Sequence, residues 1–230
     1  MDAGILYVVG TPIGNLSDIT YRAIETLKKV DLIVCEDTRT SKKLLDHYEI
    51  KTPKISFYQN IKKGGSLKPI PKTNQILKDL KSGKNMALIT DAGTPGISDP
   101  GNQLVEITIK ENISVIPIPG ASSLTTLISV AGIDLSKFTF FGFPPHKKGR
   151  ETFFKNVAAS EIPVIYFESP HRLIKNLKLL KNIAPDKEII LGRELTKVFE
   201  EIIRGDVEKV ADYYRNNQEK IKGEFIIILK

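Results

Sequence analysis

Short apolar runs alternate with amphipathic stretches along this 230-residue chain. ILYVV (residues 5–9) reads as a strand and leads into the loop GTPIGN. In LSDITYRAIETLKKV, apolar Ile19, Ala23, Ile24 and Leu27 recur on one helical face, with Ser17 or Asp18 placed to cap it. DLIVC, KISFY, MALIT and ISVIPI repeat the strand signal. Between them lie the helical patterns TRTSKKLLDHYEI, TNQILKDLKSGK, which stops at Gly83, and GNQLVEITIKE. Strands that read as unbroken apolar runs are buried on both faces, and helices between them predict a mainly parallel α/β sheet.

The rhythm changes after IPIPGASS. A helix SLTTLISVAG is followed by FTFFGF, the basic loop PPHKKGRE, and PVIYFE. Then come the helix PHRLIKNLKLLKNIA, the strand EIILGREL, the stretch KVFEEIIRG, the helix DVEKVADYYRNNQ and the strand EFIIIL. Strands now succeed one another directly, which predicts a mixed α+β unit. The expected organisation is therefore an N-terminal α/β domain over 1–117 and a C-terminal domain over 118–230, parted where Pro117 and Pro119 interrupt the pattern.

Four strands end in loops rich in glycine, proline and small hydroxyls: VGTPIGN, TDAGTPGISDPG, IPGASS and FFGFPPHKKG. Such loops are costly, because glycine gives up backbone freedom and proline forfeits a donor. Parallel α/β sheets bind ligands beyond the carboxyl ends of their strands, so converging loops of this kind predict a ligand crevice. GxxxxGK[ST] and GxGxxG are both absent, and GTPIGN and DAGTPGISDPG contain no cation for a triphosphate. Carboxylates stand there instead: Asp91 and Asp99 in one loop, Glu36 and Asp37 at the end of a neighbouring strand. Acidic groups beside glycine amides suit a ligand with hydroxyls, an amino group and a positive centre, which S-adenosylmethionine combines.

Composition narrows the class. An apolar content of 41% fits a folded chain, and the longest apolar runs fall far short of a bilayer span. MDAGILYVVG lacks the basic start of a signal peptide, and lone Cys35 forms no intramolecular disulfide, so a cytoplasmic protein without membrane attachment is expected. No CxxC or HExxH pattern argues for a metal. Thirty-four basic against 27 acidic side chains give a net charge of +7, which suits a polyanionic partner.

Taken together, VGTPIGNLSDITYRA, EDTRTSKKLL, DAGTPGISDPG, IPGASS, FFGFPP, YFESPHRL and GRELTKVFEE resemble the tetrapyrrole-methylase-like methyltransferases. Within them they resemble the branch that 2′-O-methylates the ribose of a cytidine in 16S ribosomal RNA of the small subunit. The resemblance runs from Ile5 to the closing strand. It implies a two-domain fold, a homodimer, and S-adenosylmethionine held in the cleft between the domains. It also implies cofactor contacts at Pro12, Asp91, Ala92, Gly93, Thr94, Ile97, Ser122 and Ser123, with Phe167 lining the adenine pocket. The chain ends without the C-terminal extension of longer relatives.

Methyl transfer to a ribose hydroxyl gains from a base within hydrogen-bond reach. Glu36, Asp37 and Glu168 are the candidate catalytic residues, with Glu224 behind them; Asp37 and Glu168 would serve equally well as helix caps. For RNA the candidates are Arg39, Lys147, Lys148, Arg150, His171, Arg172 and Arg193, of which Arg39 and Arg172 also flank carboxylates. Two other readings stay open: a methylase of a porphyrin-like ring, and an inactive RNA-binding assembly factor on the same fold.

Overall fold

The computed structural model describes residues 2–57, 72–98 and 101–230. The chain divides into two compact units, Met1–Ser122 and Ser123–Lys230. That division falls slightly beyond the expected 117/118 break. Residues Gly120 and Ala121 still pack against Gly10 and Thr94 of the first unit.

In the N-terminal unit, β1 (Leu6–Val9), β2 (Leu32–Cys35), β3 (Lys54–Ser56), β4 (Met86–Ile89) and β5 (Val115–Ile118) form one sheet. Its order is β3-β2-β4-β1-β5, and every described pairing is parallel. The helices α1 (Tyr21–Lys29), α2 (Thr38–His47), α3 (Thr73–Lys81) and α4 (Asn102–Lys110) alternate with the strands. Successive strand side chains point to opposite faces and feed two cores. Ile33 and Cys35 join Ala23, Leu27 and Leu45 on one side; Val34 joins Ile76, Leu80 and Leu104 on the other. Each fully buried leucine contributes roughly 1.5–3 kcal/mol. The cap of α1 differs from expectation. Leu16–Asp18 form a separate 3-10 turn capped by Asn15, and the Thr20 hydroxyl caps α1 by accepting from the Ala23 amide.

In the C-terminal unit, α5 (Ser123–Ser129) precedes β6 (Thr139–Phe140), α6 (Arg150–Ala158), β7 (Val164–Glu168) and α7 (Leu173–Ile183). Then follow β8 (Glu188–Arg193), β9 (Glu201–Asp206), α8 (Val207–Asn216) and β10 (Phe225–Leu229). The sheet runs β6-β7-β10-β8-β9, with β6 parallel to β7 and the other pairs antiparallel. Tyr166, Leu191 and Ile227 lie in one core with Phe154, Leu177 and Tyr214. The helix α6 does not stand out in the sequence. Its N-cap is Gly149 at φ +86°, with no capping side chain. Among the described residues, no helix is long and apolar enough to cross a membrane.

Candidate active site

Three of the four glycine-rich loops come together at the carboxyl ends of β1, β4 and β5. The Thr11 amide donates to the Gly93 carbonyl at 2.9 Å, and the Gly93 amide donates back to Pro12 at 3.3 Å. The buried Thr11 and Thr90 hydroxyls both donate to that same Gly93 carbonyl, at 3.2 and 3.3 Å. Thr94 Oγ1 donates to the Ala121 carbonyl at 3.0 Å, which joins the β4 loop to the β5 loop. Gly10 and Gly120 complete the triangle. A Cβ on Gly10 would stand 2.7 Å from Gly120 Cα, and one on Gly120 would stand 2.6 Å from the Gly10 carbonyl oxygen. Gly93 at φ +83° and Gly96 at φ +99° take conformations that favour glycine.

This sewing explains what each predicted cofactor residue does in the fold. Pro12 and Gly93 are buried partners in the reciprocal pair, Thr94 is the bridge to the third loop, and Asp91 and Ala92 face solvent. Ile97 and Ser122 are half-buried in the same unit. Ser123 and Phe167 belong to the C-terminal unit, and Asp99 lies outside the described residues. Thr11, Thr90, Gly10 and Gly120 were not among the sequence candidates. The glycines in VGTP and IPGA were their only local signal, because their partners are distant in the chain.

The carboxylates beside this cradle differ from one another. Asp37 caps α2, accepting from the Arg39 amide at 2.8 Å and from Arg39 Nη2 at 2.6 Å. Those Arg39 hydrogen bonds hold its pKa down at about 2. The Arg39 guanidinium is thereby paired, although its side chain is 90% exposed. Asp91 accepts the Asp37 amide at 3.1 Å. Desolvation and the Asp37 charge raise its pKa over the opposing effects of that amide and of Arg39. Glu36 is half-buried at the end of β2.

At the end of β7, Glu168 is only 2% exposed. Its carboxylate accepts from the Ser169 amide at 2.7 Å and from Asn176 Nδ2 at 2.5 Å, with Arg172 Nε 3.8 Å away. Burial raises its pKa against those partners. It is a buried organiser of the ESPHR turn, so its carboxylate is already committed. Glu224 is exposed and paired with Lys197 at 3.1 Å.

The predicted RNA contacts divide into two groups. Lys147, Lys148 and His171 are exposed. Arg150 Nε donates to the Pro145 carbonyl at 3.1 Å and Arg172 Nη1 to Pro144 at 2.8 Å, so both brace the loop that bears the lysines. Arg193 departs from the expectation of a phosphate ligand. It is 8% exposed and donates to the carbonyls of Phe199 at 3.1 Å and Lys222 at 3.3 Å. A buried guanidinium spent on backbone carbonyls supports a turn rather than a polymer.

The family model for Tetrapyrrole (Corrin/Porphyrin) Methylases matches residues 5–211. The chain belongs to the tetrapyrrole methylase family. Among solved members of similar fold are a cobalt precorrin-4 methyltransferase, at TM-score 0.69 and 18% identity over 97% of this chain and 94% of that one. Uroporphyrin-III-C-methyltransferase from Thermus thermophilus superposes at TM-score 0.65 and 14% identity, over 98% and 94% of the two chains. These likenesses establish the tetrapyrrole methylase fold. Much nearer in sequence are proteins named ribosomal RNA small subunit methyltransferase I. The one from Bacillus subtilis is 43% identical over 230 residues, covering 100% of this chain and 76% of its own. Its counterpart from Thermotoga maritima is 43% identical over 227 residues, covering 98% of each.

Proposed function

We propose that this tetrapyrrole methylase family member transfers a methyl group from S-adenosylmethionine to the 2′-oxygen of a cytidine ribose in 16S ribosomal RNA. The cytidine 1402 type of site is the finer assignment. The observation that carries the reading is the glycine cradle of the β1, β4 and β5 loops, in a chain over 40% identical to the relatives cited above. The cradle fits the cofactor on its own terms. Gly10 and Gly120 leave room for no Cβ, the DAGT loop carries Asp91 and no cation, and a sulfonium with a free amino group finds acceptors there.

Pro12, Asp91, Ala92, Gly93, Thr94, Ile97 and Ser122 are the residues proposed to hold the cofactor from the N-terminal unit, with Ser123 and Phe167 contributing from the C-terminal unit. Bound there, the sulfonium supplies an electrophilic methyl. The chain's task is to hold the ribose hydroxyl in line and to take its proton. Asp37, held at about 2 by Arg39, is a weak acceptor, and Glu168 is committed to Ser169 and Asn176. Glu36, half-buried at the end of β2 next to Asp37, is the proposed base on its position beside the cradle. Lys147, Lys148 and His171 are the proposed phosphate contacts, Arg39 a secondary one through its exposed edge, and Arg150 and Arg172 act by bracing the loop. A cytoplasmic homodimer belongs to the same reading, and sedimentation equilibrium of the purified chain tests the stoichiometry.

The decisive experiment supplies labelled methyl donor and undermodified small ribosomal subunits, then maps the label. Label on one cytidine ribose oxygen is the expected result. Turnover of a precorrin-type substrate in place of RNA would overturn the assignment, and so would absence of cofactor binding by calorimetry.

A further inference from the structure

Two phenylalanines of residues 138–143, FTFFGF, form a series of three aromatic rings with Phe167 of β7. The Phe140 and Phe167 rings meet edge-on at 5.1 Å between centroids, and Phe143 leans on Phe167, also at 5.1 Å, with 46° between their planes. Phe143 is the outermost ring and is 53% exposed. A single exposed phenylalanine means little by itself. Here, however, the backbone that carries it is fixed at several points. The Gly142 carbonyl accepts from the Phe167 amide at 2.9 Å, with Gly142 at φ +62°. The next residue, Pro144, is buried, and Arg172 and Arg150 clamp the Pro144 and Pro145 carbonyls. Two arginines are spent on holding a turn whose exposed members are the Phe143 ring, His146 and the cations Lys147 and Lys148.

We propose that Phe143 is a stacking platform for an unpaired base of the substrate RNA, with Lys147 and Lys148 holding the flanking phosphates. The inference rests on the RNA reading above and adds a residue that reads the polymer. Charge selects the occupant. From 146 to 155 the chain carries Lys147, Lys148, Arg150 and Lys155 against Glu151 alone, a field that attracts a polyanion and repels a sulfonium cofactor. An exposed ring beside exposed cations is the arrangement by which proteins hold single strands, because every base offers a π-face. Arg150 and Arg172 are positioning residues in this scheme: they set the ring rather than touch the strand.

The chain contains no tryptophan, so Phe143→Trp installs a single fluorescent reporter at the platform. In the full-length protein saturated with S-adenosylmethionine, so that any effect of the cofactor through neighbouring Phe167 is already present, a single-stranded RNA oligonucleotide bearing the target cytidine is expected to quench the emission further. Phe143→Ala, checked for an unaltered melting curve, raises the RNA KM measured at saturating cofactor about tenfold or more; Phe143→Trp restores the KM. Bound RNA that leaves the tryptophan of the cofactor-saturated protein unquenched would overturn the proposal, as would an unchanged RNA KM in Phe143→Ala. A protein that transfers no methyl to RNA, yet whose Phe143→Trp form is quenched by RNA, refutes the enzymatic reading and upholds the platform.

Discussion

The loops at the ends of β1, β4 and β5 and the loops at the ends of β6 and β7 solve opposite problems. The first set is made of glycines, threonine hydroxyls and main chain, with Gly10 and Gly120 so close that neither tolerates a Cβ. The second set is made of aromatic rings, prolines and arginines, with Arg150 and Arg172 bracing carbonyls and Lys147 and Lys148 left in solvent. A small ligand is held best by a rigid surface of backbone donors and acceptors, where side-chain freedom would be a cost. A long polyanion needs charge that reaches outward and a flat apolar face. The contrast is the ground for proposing that the first set of loops holds the cofactor and that the turn bearing Phe143, Lys147 and Lys148 meets the nucleic acid.

The largest expected effect tests chemistry on the cofactor side. Glu36→Gln lowers kcat roughly 100- to 10,000-fold while RNA and cofactor affinities hold, as removal of a general base should. An unchanged kcat would send the search back to the other carboxylates. Next in size, Gly10→Ala forces backbone apart. Overpacking of this kind costs about 1–3 kcal/mol of unfolding free energy, read by urea titration, whereas an alanine at exposed Lys148 leaves stability nearly unaltered.

Salt sharpens the contrast from the other side. Binding of single-stranded RNA loses affinity with a slope of about −0.7 per neutralised phosphate, so the Lys147→Ala, Lys148→Ala double variant flattens the log–log slope by about 1.4. An unchanged slope would remove those lysines from the interface. The smallest effect is in the acid limb. Asp37 is held at about 2, below its unfolded value near 4, so its contribution is present above that range and fades as pH falls toward 2. Asp37→Asn flattens stability over that window. Glu168 has the opposite sign. Its raised pKa favours the fold at low pH, and that contribution is lost as pH rises through the folded value. Urea midpoints against pH for Asp37→Asn and Glu168→Gln should diverge in opposite senses.

Local pattern made the strands with continuous apolar runs, such as MALIT and FIIIL, legible, whereas β9 (Glu201–Asp206), half-exposed and without such a run, was left unassigned. The glycine loops were legible as strand-end turns that come together, three of the four of them doing so at the ends of β1, β4 and β5. What the sequence hid was pairing at long range. The Gly10–Gly120 approach, the Thr11–Gly93 exchange and the arginine clamps on Pro144 and Pro145 join segments whose proximity only the fold creates. That is also why Arg193 stood among the RNA candidates although its guanidinium is buried on the carbonyls of Phe199 and Lys222. The α6 helix escaped because Gly149 starts it in a left-handed turn without a capping side chain. Ser17 and Asp18 were displaced as caps of α1 because Asn15 uses them to close a separate turn.

Matched titrations of cofactor and RNA on Gly120→Ala test the division of labour most directly. The account predicts that this variant loses S-adenosylmethionine affinity more than tenfold while RNA affinity and its salt slope stay at the wild-type values. Equal loss of both ligands, or loss of RNA alone, would contradict it.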